Sequence, residues 1–191
     1  MANDVVDLPD FEAYLGTDIP GNRVWLQNIL DAAVSAAGTI CHRRFTQASG
    51  TPTARVYRPE YDLVYLHDFV SLTSIVETTG AVAASDYQLE PLNGLTRSGV
   101  AVPYTRVRHL YRSWYRYGRM GTVTATADWG WASFPHELRE AVLMLGKDIR
   151  VGRDRSFGIA ELTEYAAVRA RENTQVAGLL WEFKRESGLM A

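Results

Sequence analysis

Gly130-Trp131-Ala132-Ser133-Phe134-Pro135-His136-Glu137-Leu138, residues 130 to 138, is the stretch at which one sequence pattern gives way to another. From residue 50 to 131, β-branched and aromatic residues occur in short runs broken by Gly, Pro and Asn, as strands and turns require. Beyond Pro135, Leu138, Val142, Leu145 and Ile149 step by four, three and four, which is one face of a helix whose first turn suits a proline. The strand candidates upstream are Ala54 to Arg58, Leu63 to Leu66, Leu72 to Thr78, Tyr87 to Glu90, Val107 to Tyr111 and Thr122 to Asp128. Together they predict a small antiparallel sheet.

Further toward the N-terminus, Leu26, Leu30, Ala33, Ala37, Ile40 and Cys41 recur at steps of three and four between Trp25 and Arg44. The centre of this long helix is built of small residues, so a second helix can approach closely, and Gly38 in a helix interior implies a packing reason. A short helix precedes it, with Asp7 as cap, Pro9 in the first turn, Phe11 and Leu15 on one face and Gly16 as the stop. Toward the C-terminus, Val176, Leu179, Leu180 and Phe183 mark a final helix, and residues 160 to 171 read either as its start or as an extended arm. The order of elements, with no alternating βαβ units, predicts an α+β fold: a helical bundle in parts 8–46 and 135–187 with a β-rich insert at 50–131, all within a single domain of residues 1–191.

Composition excludes several function classes. The chain has 191 residues, a net charge of −2 and one cysteine. No apolar run approaches the roughly 20 residues needed to span a bilayer, and Met1-Ala2-Asn3-Asp4 does not begin a signal peptide, so no membrane partner and cytoplasmic synthesis are expected. A single cysteine provides neither a disulfide nor a Cys-based zinc site, and Cys41 on an apolar helix face reads as a small buried hydrophobe. His42, His67, His109 and His136 are widely separated, with no two-ligand spacing. No nucleophile elbow, Walker loop or dinucleotide glycine motif is present. No catalytic residue, metal or cofactor is therefore expected. Asp68, beside His67, reads as a turn residue bonding local backbone, because neighbours in a strand point to opposite faces.

One stretch is chemically distinctive. Residues 91 to 127 contain no Asp or Glu but six arginines, Arg97, Arg106, Arg108, Arg112, Arg116 and Arg119, interleaved with Tyr104, Tyr111, Trp114, Tyr115 and Tyr117. The bland reading is a solvated hairpin with arginines lying over aromatic faces. The functional readings are an interface with a partner protein, or a ligand- or nucleic-acid-binding surface at 104–119. Residues 1 to 20 hold Asp4, Asp7, Asp10, Glu12 and Asp18 without Lys or Arg, opposite in sign to the arginine stretch.

Several pieces, in order, resemble the adaptor proteins of tailed bacteriophages, the gp6-like head-tail connector family. They are the long helix ending in Arg43-Arg44-Phe45, then Arg55-Val56-Tyr57, then Leu66-His67-Asp68-Phe69-Val70-Ser71-Leu72-Thr73-Ser74-Ile75, and above all the Gly130-Trp131 to Pro135-His136-Glu137-Leu138 junction with Ala141. Glu161-Leu162-Thr163-Glu164-Tyr165 departs from the family's step before the last helix by lacking its glycine. The resemblance implies a structural, non-enzymatic virion subunit. It would form a homo-oligomeric ring, dodecameric, between the portal protein above and the stopper, head-completion or tail protein below. Genomic DNA would pass through the channel without specific binding. It also implies a fold junction at Gly130, Trp131 and Pro135, an interface with a neighbouring subunit or tail protein at the arginine-aromatic stretch, and an acidic N-terminal surface facing that basic one around the ring. The segment from Arg150 onward, with Arg153, Arg155 and Tyr165 and a stripe of Val176, Leu180 and Phe183 flanked by Trp181, is the expected portal-docking element, or else closes the protein's own bundle.

Overall fold

The computed structural model describes residues 5–16, 23–114, 121–151 and 159–185, with side chains from 165 onward in the last segment. The chain has an α+β fold made of two compact units: residues 1–45 with 134–191, which is helical, and residues 46–133, which is built on a sheet.

In the helical unit, α1 (Leu8–Leu15) is followed by α2 (Arg23–Cys41), α3 (His136–Val151), α4 (Ile159–Glu172) and α5 (Thr174–Leu180). Asp7 stands at the cap of α1, but its side chain makes no capping bond; its carbonyl accepts from the Phe11 N–H at 3.1 Å, and Gly16 ends the helix in the left-handed region. Phe11 is fully buried, and its ring lies where a Cβ on residue 146 would stand, 2.8 Å away, so Gly146 of α3 admits the ring. The predicted stripes are realised except at Ile40, which is half-buried: Leu26, Leu30, Ala33, Ala37 and Cys41 of α2 and Leu138, Val142, Leu145 and Ile149 of α3 are buried.

The small residues of α2 do meet another helix. α2 packs against α3 and α4, and Ala166 and Ala170 of α4 are as buried as Ala33 and Ala36. Gly38 has a more local reason. The helix ends with His42 in the left-handed region (φ 52°), the His42 N–H donating to Thr39 O and the Arg43 N–H to Gly38 O at 3.0 Å. A Cβ on residue 38 would lie 2.8 Å from the Arg43 carbonyl oxygen. Residues 160 to 171 are helix, but separate from the last one. Asn173 breaks the run and caps α5, its Oδ1 accepting from the N–H groups of Gln175 and Val176, while its Nδ2 donates to Asp148 on α3 at 2.7 Å.

In the sheet unit the strands are β1 (Thr53–Tyr57), β2 (Leu63–Glu77), β3 (Gly80–Ala81), β4 (Tyr87–Glu90), β5 (Tyr104–His109) and β6 (Val123–Trp129). All pairings are antiparallel, in the order β1-β6-β2-β5-β4, with β3 beside β2. Two expected strands, Leu63 to Leu66 and Leu72 to Thr78, are one 15-residue strand. The turn expected at Asp68 does not exist: no Gly or Pro interrupts 63–77, and the chain absorbs the break in alternation by register shifts between Tyr65 and Phe69 and between Phe69 and Ser71. β2 therefore pairs with β5 through its first half and with β6 through its second. Alternate residues of β6, Val123, Ala125, Ala127 and Trp129, join Val64, Leu66, Phe69, Ile75 and Val107 in the core.

Candidate functional site

The arginine-aromatic stretch looks different in three dimensions from its one-dimensional charge. Arg106 and Arg108 lie on β5 beside β4, in register with Glu90 and Gln88. Their Nε atoms donate to the two carboxylate oxygens of Glu90, at 2.6 and 2.8 Å. Arg108 also pairs with Asp62, and Arg112 makes a two-pronged pair with Glu77, its Nη1 donating to Oε2 at 3.1 Å. Burial alone would raise the Glu90 carboxyl, but the bonds from Arg108 and Arg106 outweigh it and hold the group below the usual carboxylate range. The Arg112 bond does the same for Glu77. All three acids come from outside residues 91–127, so no local count could foresee the neutralisation. At Arg106, Arg108 and Arg112 the expected electropositive insert is an internally paired network.

Trp114 is not a surface anchor. It is 4% exposed, its indole N–H donates to Asp62 O at 2.7 Å, and its ring meets that of His109 edge-on at 5.0 Å. His109 is buried too; its Nδ1 accepts from the Tyr111 N–H at 3.3 Å, and burial, with Arg112 nearby, pushes its pKa down. Tyr115, Arg116, Tyr117 and Arg119 lie outside the described residues. On the sheet, Arg55 rests over the Trp129 ring at 4.6 Å, and Tyr57 O–H is 2.7 Å from His67 Nδ1. This cluster was missed in the sequence because its members sit on three strands.

The junction is a built structure. Gly130 has φ of 123°, and a Cβ there would stand 2.5 Å from Thr46 O and 2.9 Å from the Ala48 nitrogen. The Trp131 N–H donates to Thr46 O and its carbonyl accepts from Ala48, both at 2.9 Å, so segment 46–48 and residue 131 form a short parallel pair. Trp131 is fully buried, with Nε1 donating to Asp68 Oδ2 at 3.1 Å. Pro135 stands one residue before α3 and its carbonyl accepts from the Arg139 N–H at 3.2 Å, closing that helix's first turn.

In the C-terminal segment, Val176, Leu180 and Phe183 are buried within the helical unit, Phe183 edge-on to Phe45 at 6.5 Å. Of the two readings of this stripe, a partner's groove or the protein's own bundle, its burial agrees with the second. Trp181 alone among those residues is well exposed, at 68%, with Lys184 Nζ 4.7 Å over its ring. Tyr165 is half-buried, and Arg153 and Arg155 lie outside the described residues. Of the N-terminal acids, Asp10 pairs with Arg139 at 2.6 Å and Glu12 with Arg23 at 3.1 Å. Asp4 and Asp18 lie outside the described residues.

A cleft of about 370 Å³ opens on the sheet unit among Phe69, Pro91, Leu95, Val102, Pro103 and Tyr104, and no Asp, Glu, His, Cys, Lys or Arg lines it. Among the described residues no three His, Cys, Asp or Glu side chains gather as metal ligands, and no helix is long and apolar enough to cross a membrane. Cys41 is buried, its thiol donating to Leu180 O at 3.6 Å, and burial pushes its pKa up to about 12 against the lowering effect of Arg43 and Lys184.

The fold is shared with solved structures. A chain from the neck of an empty GTA (gene transfer agent) particle, computed with C6 symmetry, superposes with a TM-score of 0.60 at 15% identity, covering 98% of this chain and 93% of that one. A chain from the neck of a native GTA particle, computed with C12 symmetry, gives 0.53 at 18% identity over 100% and 98%. No family model matches the chain. No curated protein matches it either.

Proposed function

We propose that the chain is a structural subunit of the neck of a tailed-phage-like particle, a head-to-tail adaptor that works as a ring and carries out no catalysis. The observation that carries this reading is the agreement in fold with neck chains of GTA particles along nearly the whole of both chains, helical and sheet units alike. The ordered sequence pieces that resemble phage adaptors support it independently. In this reading twelve copies encircle the DNA channel between the portal protein and the stopper or tail protein. The ion-paired arginines fit a channel component, because a surface that DNA must slide past should not hold phosphates tightly. Trp181 is the exposed aromatic left to anchor the C-terminal segment on the portal.

The test is assembly. The purified chain alone should run as a monomer or small oligomer on size exclusion, and mixed with the portal of its particle it should appear as a ring stacked on that portal by electron microscopy. A chain that never associates with portal removes the adaptor reading.

A further inference from the structure

Strands β4 and β5 carry different chemistry at their two ends. At one end, four backbone and indole bonds tie three segments together: His109 N–H to Asp62 O at 2.8 Å, Leu110 N–H to Asp86 O at 2.9 Å, and the Trp114 backbone and indole N–H groups to Tyr61 O and Asp62 O, each at 2.7 Å. Arg108 pairs with Asp62 at the same end, and Arg112, three residues beyond β5, pairs with Glu77. On this rigid base stand Tyr61, Leu110 and Tyr111, exposed by 79, 45 and 75%. Tyr61 sits there in the left-handed region, φ 53°, a conformation strained for a residue with a side chain.

At the other end of β4 and β5, beside the middle of β2, lies the cleft of Phe69, Pro91, Leu95 and Tyr104, which has no charged side chain in its wall. β5 runs from Tyr104 at the cleft to His109 at the braced end, so the two features stand about 17 Å apart along the strand direction. One is an aromatic projection beside Arg108 and Arg112, both of which are paired. The other is an uncharged, apolar hollow. Each suits a partner like the other, and neither suits a polyanion.

We propose that Tyr61, Leu110 and Tyr111 of one copy seat in the Phe69–Tyr104 cleft of the next copy, closing a ring head to tail through the sheet units. The proposal rests on the ring reading above. A heterologous contact between two different patches of one chain is what a ring of more than two copies requires, and tyrosine is among the side chains enriched where such contacts are anchored.

The test uses the full chain carrying Leu95→Cys and Tyr111→Cys, assembled on the portal ring of its particle and mildly oxidised. Cys41 is buried and its thiol stays protonated, so the background is silent. The double variant should give a ladder of covalent oligomers on a non-reducing gel, and each single variant none. In parallel, Leu110→Asp with Tyr111→Asp, at two exposed positions, should leave the circular dichroism unchanged and lower ring yield about tenfold or more. Rings that form without a ladder, and that survive the aspartates, overturn this pairing alone. Failure of the wild-type chain to form rings on portal overturns the ring reading and the pairing with it.

Discussion

Trp131 donates its indole N–H to the Asp68 carboxylate at 3.1 Å, and both residues are buried, the tryptophan completely. The bond joins the end of the sheet unit, two residues before its last residue Ser133, to the middle of its longest strand. Trp131→Ala removes the largest buried side chain as well as the bond and should cost about 3 to 5 kcal/mol, read as a lower urea midpoint. Trp131→Phe keeps most of the volume but withdraws that donor from a buried carboxylate, and should cost about 1 to 3 kcal/mol.

Gly130→Ala should destabilise by more than about 1 kcal/mol, since φ of 123° is strained for alanine and its Cβ would meet backbone of residues 46 to 48. Thermal melting of the variant checks this; an unchanged midpoint would mean that residues 46 to 48 do not pass so close.

Arg112→Glu sets a second carboxylate against Glu77 and should destabilise the sheet unit. Glu77→Arg in the same chain should restore part of the loss. The double-mutant cycle should return a coupling of about 0.5 to 3 kcal/mol, and a coupling of zero would mean that the two-pronged pair is absent in solution.

Stability should fall in two steps on acidification. The pKa of His109 is depressed below its ordinary 6.5, so the unfolded chain binds that proton first, and stability present above 6.5 declines as pH drops toward the folded value. Glu77 and Glu90 are depressed below 4.5, so their contribution is fully present above 4.5 and is lost as pH falls through their folded values. Urea unfolding across pH 3 to 8 checks this. His109→Phe should remove the upper step and leave the lower one.

Cys41 should resist thiol reagents in the folded chain and react fully in denaturant, because its pKa is pushed up to about 12 and its side chain is buried. Labelling followed by mass spectrometry reads this directly; fast labelling without denaturant would place Cys41 at the surface.

Periodicity was enough to place α2, α3 and four of the strands within a few residues, since Leu26, Leu30, Val142 and Leu145 recur at the spacing that one buried helix face demands. It failed at Asp68 because a charged residue inside an apolar run normally marks a turn. Here a tryptophan 63 residues away provides the hydrogen bond that lets the strand continue. It was silent on the Tyr57–His67–Trp129 cluster for the same reason: the partners are distant in the chain.

What the chain determined by itself is the α+β class, the order of its elements and the residues that face the cores, because those follow from local spacing and from where Gly and Pro stop a run. What only the tertiary structure decided is what the polar groups and the last apolar stripe are for. Glu90 neutralises Arg106 and Arg108 across a strand pair, Glu77 holds Arg112 from 35 residues away, and Val176, Leu180 and Phe183 turn inward to the helical core. Charge pairing and burial depend on distances through space, which spacing along the chain does not carry.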